Sequence, residues 1–183
     1  MAEALQAAPA LKDNIEMIYV MGGAVDVPGN VGLSGAGIDN QAAEWNIYVD
    51  PHAANIVLQS DASLTLVPLD ATNHAPVTMD FYNRLKADHA SPVATFVFDA
   101  LTQNLAFIQS GGYYFWDPLA AAILADESLA TFETKTLSIV EDEGPESGRT
   151  QVAANGASVR LARFASADAE RLAQVFLDTL NAP

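Results

Sequence analysis

The stretch of residues 21–51 reads MGGAVDVPGNVGLSGAGIDNQAAEWNIYVDP. It begins where an apolar, strand-forming run at 15–20 is stopped by two glycines. It ends where Asp50 and Pro51 predict the N-cap and first position of a helix. A connection of about twenty residues inside a compact domain is usually functional or disordered. The sequence therefore places a candidate binding loop directly after a buried strand.

Three polar residues in and after this loop are candidates for binding a ligand, namely Asn30, Glu44 and Asn46. In open α/β sheets, ligands bind beyond the carboxyl ends of the strands, which is where this loop starts. Amide and carboxylate groups together can donate to and accept from neighbouring hydroxyls, so a polyhydroxylated ligand is predicted. The alternative is ordinary loop polarity, with Asn30 serving only as a turn residue after a glycine.

The remaining pattern predicts one α/β domain over residues 1–183. Strands at 15–20 and 64–69 are separated by a helix at 51–59, which indicates a right-handed crossover between parallel strands. Asp70 directly follows the second strand, and we interpret it as a turn or cap residue. Strands are also expected at 134–140, 150–154 and 157–164, and Asn155-Gly156 between the last two predicts a hairpin. Further helices are expected at 2–11, 78–88, 92–109 and 119–125, and after a cap at Ser166. We therefore predict a mainly parallel Rossmann-like sheet with flanking helices and a small antiparallel β hairpin near the C-terminus.

Composition excludes several classes of function. The net charge is −15 with only eight lysines and arginines, so nucleic acid and anionic membranes are not expected partners. The chain has no cysteine, which excludes disulfides and thiolate metal sites and is compatible with a cytoplasmic location. No apolar run reaches the roughly 18 residues of a membrane-spanning helix. The first residues lack the basic and apolar regions of a signal peptide, so we expect a cytoplasmic protein.

Five motifs occur in the order seen in inosine-uridine-preferring nucleoside hydrolases. They are MGGA at 21–24, GN at 29–30, EWNIYVDPHAA at 44–54, LDAT at 69–72 and WDPLA at 116–120. Nearly the whole chain resembles the C-terminal part of that family, which implies a truncated nucleoside hydrolase-like fold. It also implies cleavage of the N-glycosidic bond of purine or pyrimidine nucleosides to ribose and free base.

The resemblance leaves out the Asp-rich N-terminal motif of the family, D-x-D-x-x-x-D-D, which is not found in these residues. We therefore expect this chain alone to be inactive and to need the missing portion, as a separate chain or a longer protein. The alternative is a non-catalytic module that binds a sugar, a nucleoside or another protein.

The resemblance also implies roles for individual residues. Met21, Asn30, Glu44 and Asn46 match the family's ribose contacts, although Met21 could equally serve in core packing. Asp117 matches a Ca²⁺ ligand of the family, and its alternative is a helix N-cap. Because Ca²⁺ takes about six to eight oxygen ligands, we expect its site to be weak or absent in this chain alone.

Trp116 occupies the position where many family members carry a histidine that is a candidate proton donor to the leaving base. Indole cannot act as that acid, but it can stack on a base. Tyr113 or Tyr114 could donate the proton instead. The alternative is that these aromatic residues pack beneath the start of the helix.

The last expectation concerns association. In the family fold, the strand at 15–20 should have neighbours from the N-terminal portion, and an unpaired apolar edge can pair with another chain. We therefore predict a homo-oligomer or a complementary N-terminal chain, with residues 2–20 at the contact.

Overall fold

A computed structural model, which describes residues 1–182, contains a five-stranded mixed sheet in the order β1-β2-β5-β3-β4. Neighbours β1, β2 and β5 are parallel, whereas β3 is antiparallel to both β5 and β4. The strands are β1 (Ile18–Met21), β2 (Leu64–Val67), β3 (Thr131–Ile139), β4 (Thr150–Val152) and β5 (Ala157–Arg163). The predicted α/β sheet with flanking helices is confirmed.

The predicted helices occur in the expected order with different boundaries, and two short helices, at 45–49 and 69–72, were not predicted. They are α1 (Ala2–Ala7), α2 (Trp45–Val49), α3 (Pro51–Leu58), α4 (Leu69–Thr72), α5 (Met79–Ala87), α6 (Pro92–Gln103), α7 (Leu105–Gln109), α8 (Trp116–Ala125) and α9 (Ala169–Leu180). Helix α3 begins as predicted, because Asp50 accepts a hydrogen bond from the backbone N–H of Ala53 and Pro51 takes the first position. Helix α6 also begins as predicted, with Ser91 accepting from Ala94 N at 2.9 Å.

The described chain groups into two compact units. The first comprises Met1–Ala71 and Ala130–Arg163 and contains the whole sheet with α1, α2 and α3. The second comprises Thr72–Leu129 and the chain from Phe164 onward, and it is built from α5 to α9. The prediction of a single domain over residues 1–183 stays a prediction.

Each unit has an apolar core that matches its sequence pattern. In the first unit, buried side chains of the sheet pack with α2 and α3, namely Ile47, Leu58, Leu66, Leu137, Ile139, Val159 and Leu161. In the second unit, Phe81 meets Phe115 edge-on at 4.9 Å between ring centroids, and Phe176 lies 5.4 Å from Phe115. The aromatic trio joins the start of α5, the start of α8 and the amphipathic face of α9.

The hairpin predicted at Asn155-Gly156 is wrong in its pairing. Val152 of β4 and Ala157 of β5 both pair with Leu137 of β3, so β4 and β5 flank β3 instead of pairing with each other. Gly156 lies against β3, where an added Cβ would be 2.2 Å from the carbonyl oxygen of Leu137. The glycine is required because the chain passes close to another backbone, a role that produces the same sequence signal as a hairpin turn.

Three helix starts or ends also differ from the prediction. The helix expected at 92–109 is divided at Asn104, whose side-chain amide donates to Ala100 O at 2.9 Å. Helix α8 begins at Trp116 with Phe115 as N-cap, so Asp117 lies inside the first turn and is not the cap. Ser166 opens a short 3₁₀ turn before α9, and its hydroxyl bonds to His74 at 2.9 Å.

Candidate functional site

The site loop, defined as residues 22–30, leaves β1 through two glycines whose backbone is hydrogen-bonded to the end of β2 and the start of α4. Gly22 N donates to Val67 O at 3.2 Å, and Gly23 O accepts from Leu69 N at 2.8 Å. Gly23 has φ of +85°, and a Cβ there would lie 3.1 Å from the Thr150 hydroxyl. Only glycine adopts this conformation readily, so the sequence fixes the direction in which the loop leaves the sheet.

Glu44 joins the start of this loop to the helix that follows it. Its side chain is the N-cap of α2 and accepts from Asn46 N at 3.0 Å and Ile47 N at 3.2 Å. The same carboxylate accepts from Gly23 N at 3.1 Å, and the residue is only 2% exposed. A buried carboxylate needs such partners, and a helix N-terminus favours its negative charge. Helix α2 and this capping role were not predicted, because glutamate is not among the preferred N-cap residues.

Asn30 and Asn46 complete the cluster. The Asn30 side-chain oxygen accepts from Trp45 N at 2.8 Å. The Asn46 side-chain nitrogen lies 3.3 Å from Met21 O and 3.2 Å from Met21 Sδ. The structure thus brings together the four residues predicted to contact a sugar.

In Asn30 and in Asn46, only one of the two polar side-chain atoms is hydrogen-bonded within residues 1–182. Among residues 1–182, the Asn30 NH₂ group and the Asn46 side-chain oxygen make no hydrogen bond. Asn46 is exposed and Asn30 is half-buried. The cluster therefore offers a donor group and an acceptor on side chains that are fixed by their other amide atoms, and both kinds of group can bind hydroxyls.

Met21 is buried and also borders an open cavity of about 270 Å³. Asn46 lines the same cavity, together with apolar residues of α3, β1 and β2. Met21 is therefore packed in the first unit and contacts Asn46, while its contact with a ribose stays a prediction.

Asp70 is more than the turn or cap residue that was expected. Its carboxylate accepts from Val25 N at 2.9 Å and from Asp26 N at 2.8 Å, so it binds the site loop from the end of β2. Arg163 at the end of β5 donates to Asp70 at 2.9 Å and also binds Asp26 and Glu133. Sequence reasoning missed this cluster because its members are far apart in the chain.

The charges of this cluster change the pKa values of its members. Hydrogen bonds from Lys135 and Arg163 lower the pKa of Asp26. Partial burial opposes the charge of Arg163, but hydrogen bonds to Asp26, Glu133 and Asp70 outweigh it and raise the pKa of Arg163. Both groups are therefore held in their charged forms near neutral pH.

Trp116 belongs to an aromatic group in the second unit, defined as Phe107, Tyr113, Tyr114 and Trp116. The Trp116 ring lies 5.3 Å from Tyr113, 5.8 Å from Tyr114 and 6.3 Å from Phe107, measured between centroids. Phe107 is 47% exposed, and the other three side chains are half-buried. These aromatic residues contact one another at the start of α8, as the packing alternative expected, and part of the group faces solvent; a role of Trp116 in base stacking stays a prediction.

Asp117 follows Trp116 in the first turn of α8. Its side chain is exposed and makes no hydrogen bond or ion pair to any residue between 1 and 182. No group of three or more His, Cys, Asp or Glu residues in the same range could hold a metal ion. A Ca²⁺ ion takes about six to eight oxygen ligands, so one carboxylate does not fit it without ligands from elsewhere.

Among residues 1–182, no helix combines the length and apolar character needed to cross a membrane.

Comparison with known proteins gives a consistent result. The sequence profile described as inosine-uridine preferring nucleoside hydrolase matches residues 1–178. Nucleoside hydrolase 3 of Arabidopsis thaliana is 31% identical over 149 residues, which are 65% of this chain and 16% of that protein. Pyrimidine-specific ribonucleoside hydrolase RihA of Escherichia coli O9:H4 (strain HS) is 38% identical over 97 residues, which are 53% of this chain and 28% of that protein.

A solved structure shares the fold. The purine-preferring ribonucleoside hydrolase from Gardnerella vaginalis superposes with a TM-score of 0.81 and 30% identity. The superposition covers 98% of this chain and 56% of that one. The chain thus spans little more than half of its solved relative and about a quarter or less of the two curated relatives.

Proposed function

This chain belongs to the inosine-uridine preferring nucleoside hydrolase family, and on that premise we propose that it binds the ribose of a nucleoside. The proposed reaction is cleavage of the N-glycosidic bond to ribose and free base. The observation that carries the proposal is the cluster at the end of β1, where Asn30 and Asn46 each have one side-chain amide atom that makes no hydrogen bond to residues 1–182. The proposal assigns to this cluster the recognition of ring hydroxyls.

The cluster suits the chemistry of glycosidic cleavage. Such reactions pass through an oxocarbenium-like transition state, and hydrogen bonds to the sugar hydroxyls strengthen as it forms. Asn46 supplies an acceptor and Asn30 a donor, and their second amide atoms are fixed by Met21 and Trp45 N. This fixation lowers the reorganisation needed during the reaction.

Glu44 has two proposed roles. Its carboxylate caps α2 and holds Gly23, and we assign to it a further contact with a sugar hydroxyl, as in the family. A negative charge beside the sugar also favours the positive charge that develops on the ring. A substitution at Glu44 will therefore combine a loss of stability with a loss of sugar recognition.

Trp116 is proposed to stack on the nucleobase and not to donate a proton. A purine presents two fused rings to the indole and buries more apolar surface than a pyrimidine, so purine nucleosides are the proposed preference. Tyr113 and Tyr114 lie beside Trp116, and either hydroxyl could protonate the leaving base.

The metal and the water-activating group are proposed to come from outside the described residues. Family members depend on Ca²⁺, and Asp117 is the candidate ligand that this chain would contribute. We propose that residues 1–182 alone do not hydrolyse nucleosides, because this single carboxylate lacks a surrounding set of oxygen ligands.

The outer edge of β1 is the proposed place for the complementary segment. Within the described range, β1 pairs only with β2, and the cavity of about 270 Å³ lies beside its apolar residues Ile18 and Val20. A strand added there would extend the sheet beyond β1, and its side chains could fill the cavity. A second copy of this chain is the other candidate for this edge.

A complementation assay tests this function. Release of base from inosine and uridine is measured with Ca²⁺ for the 183-residue chain, and for this chain joined to the N-terminal part of a solved relative. We expect release only from the joined protein, with inosine preferred. Base release by the 183-residue chain alone would contradict its inactivity. An inactive joined protein that still binds ribose would favour a non-catalytic sugar-binding module.

A further inference from the structure

Asp70 sits in the first unit as a buried carboxylate between the site loop and the sheet. Its side chain is 0% exposed, which makes an unpaired charge there very unfavourable. Three donors satisfy it, namely Val25 N, Asp26 N and one guanidinium nitrogen of Arg163. Two of these donors are backbone groups of the site loop, so Asp70 fixes the course of the loop directly.

Arg163 holds Asp70 in place and binds the loop a second time. Its guanidinium donates to Asp70 at 2.9 Å and to Glu133 at 2.8 Å, and it also bonds to the carboxylate of Asp26. Lys135 donates to the same Asp26 carboxylate at 2.6 Å. The chain has eight basic residues, and two of them meet at this single loop position, in a protein of net charge −15.

Hydrogen bonds fix the loop backbone on both sides of its first turn. Glu44 accepts from Gly23 N, and the Asp70 cluster, defined as Asp26, Asp70, Glu133, Lys135 and Arg163, binds the backbone N–H groups of Val25 and Asp26 through Asp70. Beyond it, Gly29 N and Asn30 N donate to the carbonyls of Gln41 and Ala43 at 2.8 and 3.0 Å. The segment that separates Met21 from Asn30 is therefore fixed before any ligand arrives.

We propose that Asp70 and Arg163 are positioning residues of the sugar site, which set the placement of Asn30 relative to Met21 without touching the sugar. The proposal rests on the sugar-binding function assigned above. Its physical content is preorganisation, since a donor held in place binds a hydroxyl without first losing conformational freedom. It predicts that weakening the Asp70 cluster moves Asn30 and loosens the loop.

Arg84 provides a matched control in the second unit. Its side chain is 29% exposed against 30% for Arg163, and it also binds two carboxylates, those of Glu170 at 2.7 Å and Asp80 at 3.5 Å. The substitutions Arg163→Gln and Arg84→Gln therefore remove arginines of similar exposure, but Arg163 has three carboxylate partners, one of them the buried Asp70, whereas both partners of Arg84 are exposed. Only the first is expected to affect the site loop.

The test uses the ¹⁵N-labelled 183-residue chain and two local readouts. Amide exchange at Val25 and Asp26 reports the strength of their hydrogen bonds to Asp70. The resonances of Asn30 NH₂ and the Trp45 backbone amide report the placement of Asn30. For Arg163→Gln we expect exchange at Val25 and Asp26 to rise about tenfold or more, because a hydrogen bond to a charged group contributes at least that factor. We also expect shifts at Asn30 and Trp45 and weaker ribose binding.

Further variants decide between positioning and general stability. Arg163→Lys keeps one cationic donor and should recover part of each effect, whereas Arg84→Gln should leave both readouts unchanged. Asp70→Asn should reproduce the loop changes, and if it does not fold, Asp26→Asn takes its place.

Unchanged Asn30 and Trp45 resonances in Arg163→Gln, or equal changes in Arg84→Gln, would overturn the proposal. If the wild-type chain does not bind ribose but Arg163→Gln changes the loop as expected, only the sugar-binding function is refuted.

Discussion

Replacing Glu44 with alanine tests the idea that one buried carboxylate connects the strand end to helix α2. The substitution leaves three backbone N–H groups without their acceptor, and the bonds to Gly23 and Ile47 are fully buried. A buried donor without a partner costs about 1–3 kcal/mol, so the two buried donors together predict a loss of about 2–6 kcal/mol. Whole domains are stable by only about 5–15 kcal/mol, which makes this loss large.

Asp50 is a suitable comparison, because it caps the adjacent helix α3 from an exposed position, where it accepts a hydrogen bond from Ala53 N at 2.9 Å. Removing an exposed N-cap costs about 0.5–2 kcal/mol, so Asp50→Ala should be the milder change. Urea unfolding of both variants measures the difference, and amide exchange at Gly23 and Ile47 localises it. An Asp50→Ala variant as unstable as Glu44→Ala would refute the reasoning, since burial would then have no effect.

Three further predictions follow from the aromatic group, the Asp70 cluster and the edge of β1. Trp116→Ala in a joined, active protein should raise KM for inosine more than for uridine, because stacking on an aromatic ring contributes about 1–3 kcal/mol per base; equal effects on both substrates would contradict stacking on the purine. The pKa of Asp26 is lowered in the folded chain from 3.8, so its ionised carboxylate stabilises the fold above that pH, and this effect is lost as the pH falls below it. Across this acidic range, the free energy of unfolding should fall less steeply for Asp26→Asn than for the unsubstituted chain. Parallel curves would contradict the pairing of Asp26 with Lys135 and Arg163. Sedimentation should show the 183-residue chain as a dimer or larger, with residues 2–20 at the contact; a well-folded monomer with slow amide exchange along β1 would contradict the open edge.

Local signals in the sequence predicted the parts of the fold that depend on neighbouring residues. Asp50 and Pro51 start α3 as expected, because an N-cap and its proline act within one turn. Asn155-Gly156 misled the prediction, since a glycine needed for a close backbone approach to Leu137 looks the same as one needed for a hairpin turn.

In the candidate site, too, local sequence signals indicate contacts between nearby residues but not contacts between distant ones. Asn30, Glu44 and Asn46 could be found because they lie in one loop and its following helix start, and the structure joins them through short-range hydrogen bonds. Asp70 and Arg163 are 93 residues apart in the chain, and the sequence around neither residue indicates that they pair. Contacts between distant strands are decided by sheet topology, and the order β1-β2-β5 could not be read from periodicity alone.

The end of β1 is proposed to bind a sugar through Asn30 and Asn46, and a titration of the ¹⁵N-labelled chain with ribose tests this proposal. The side-chain NH₂ resonances of both asparagines serve as probes, and Asn104 on the surface of the second unit serves as the control amide. We predict that the Asn30 and Asn46 resonances shift and saturate, that Asn104 does not respond, and that Asn46→Ala abolishes the response at Asn30. Saturating shifts confined to other residues, or no response at Asn30 and Asn46 in a folded chain, would contradict the claim.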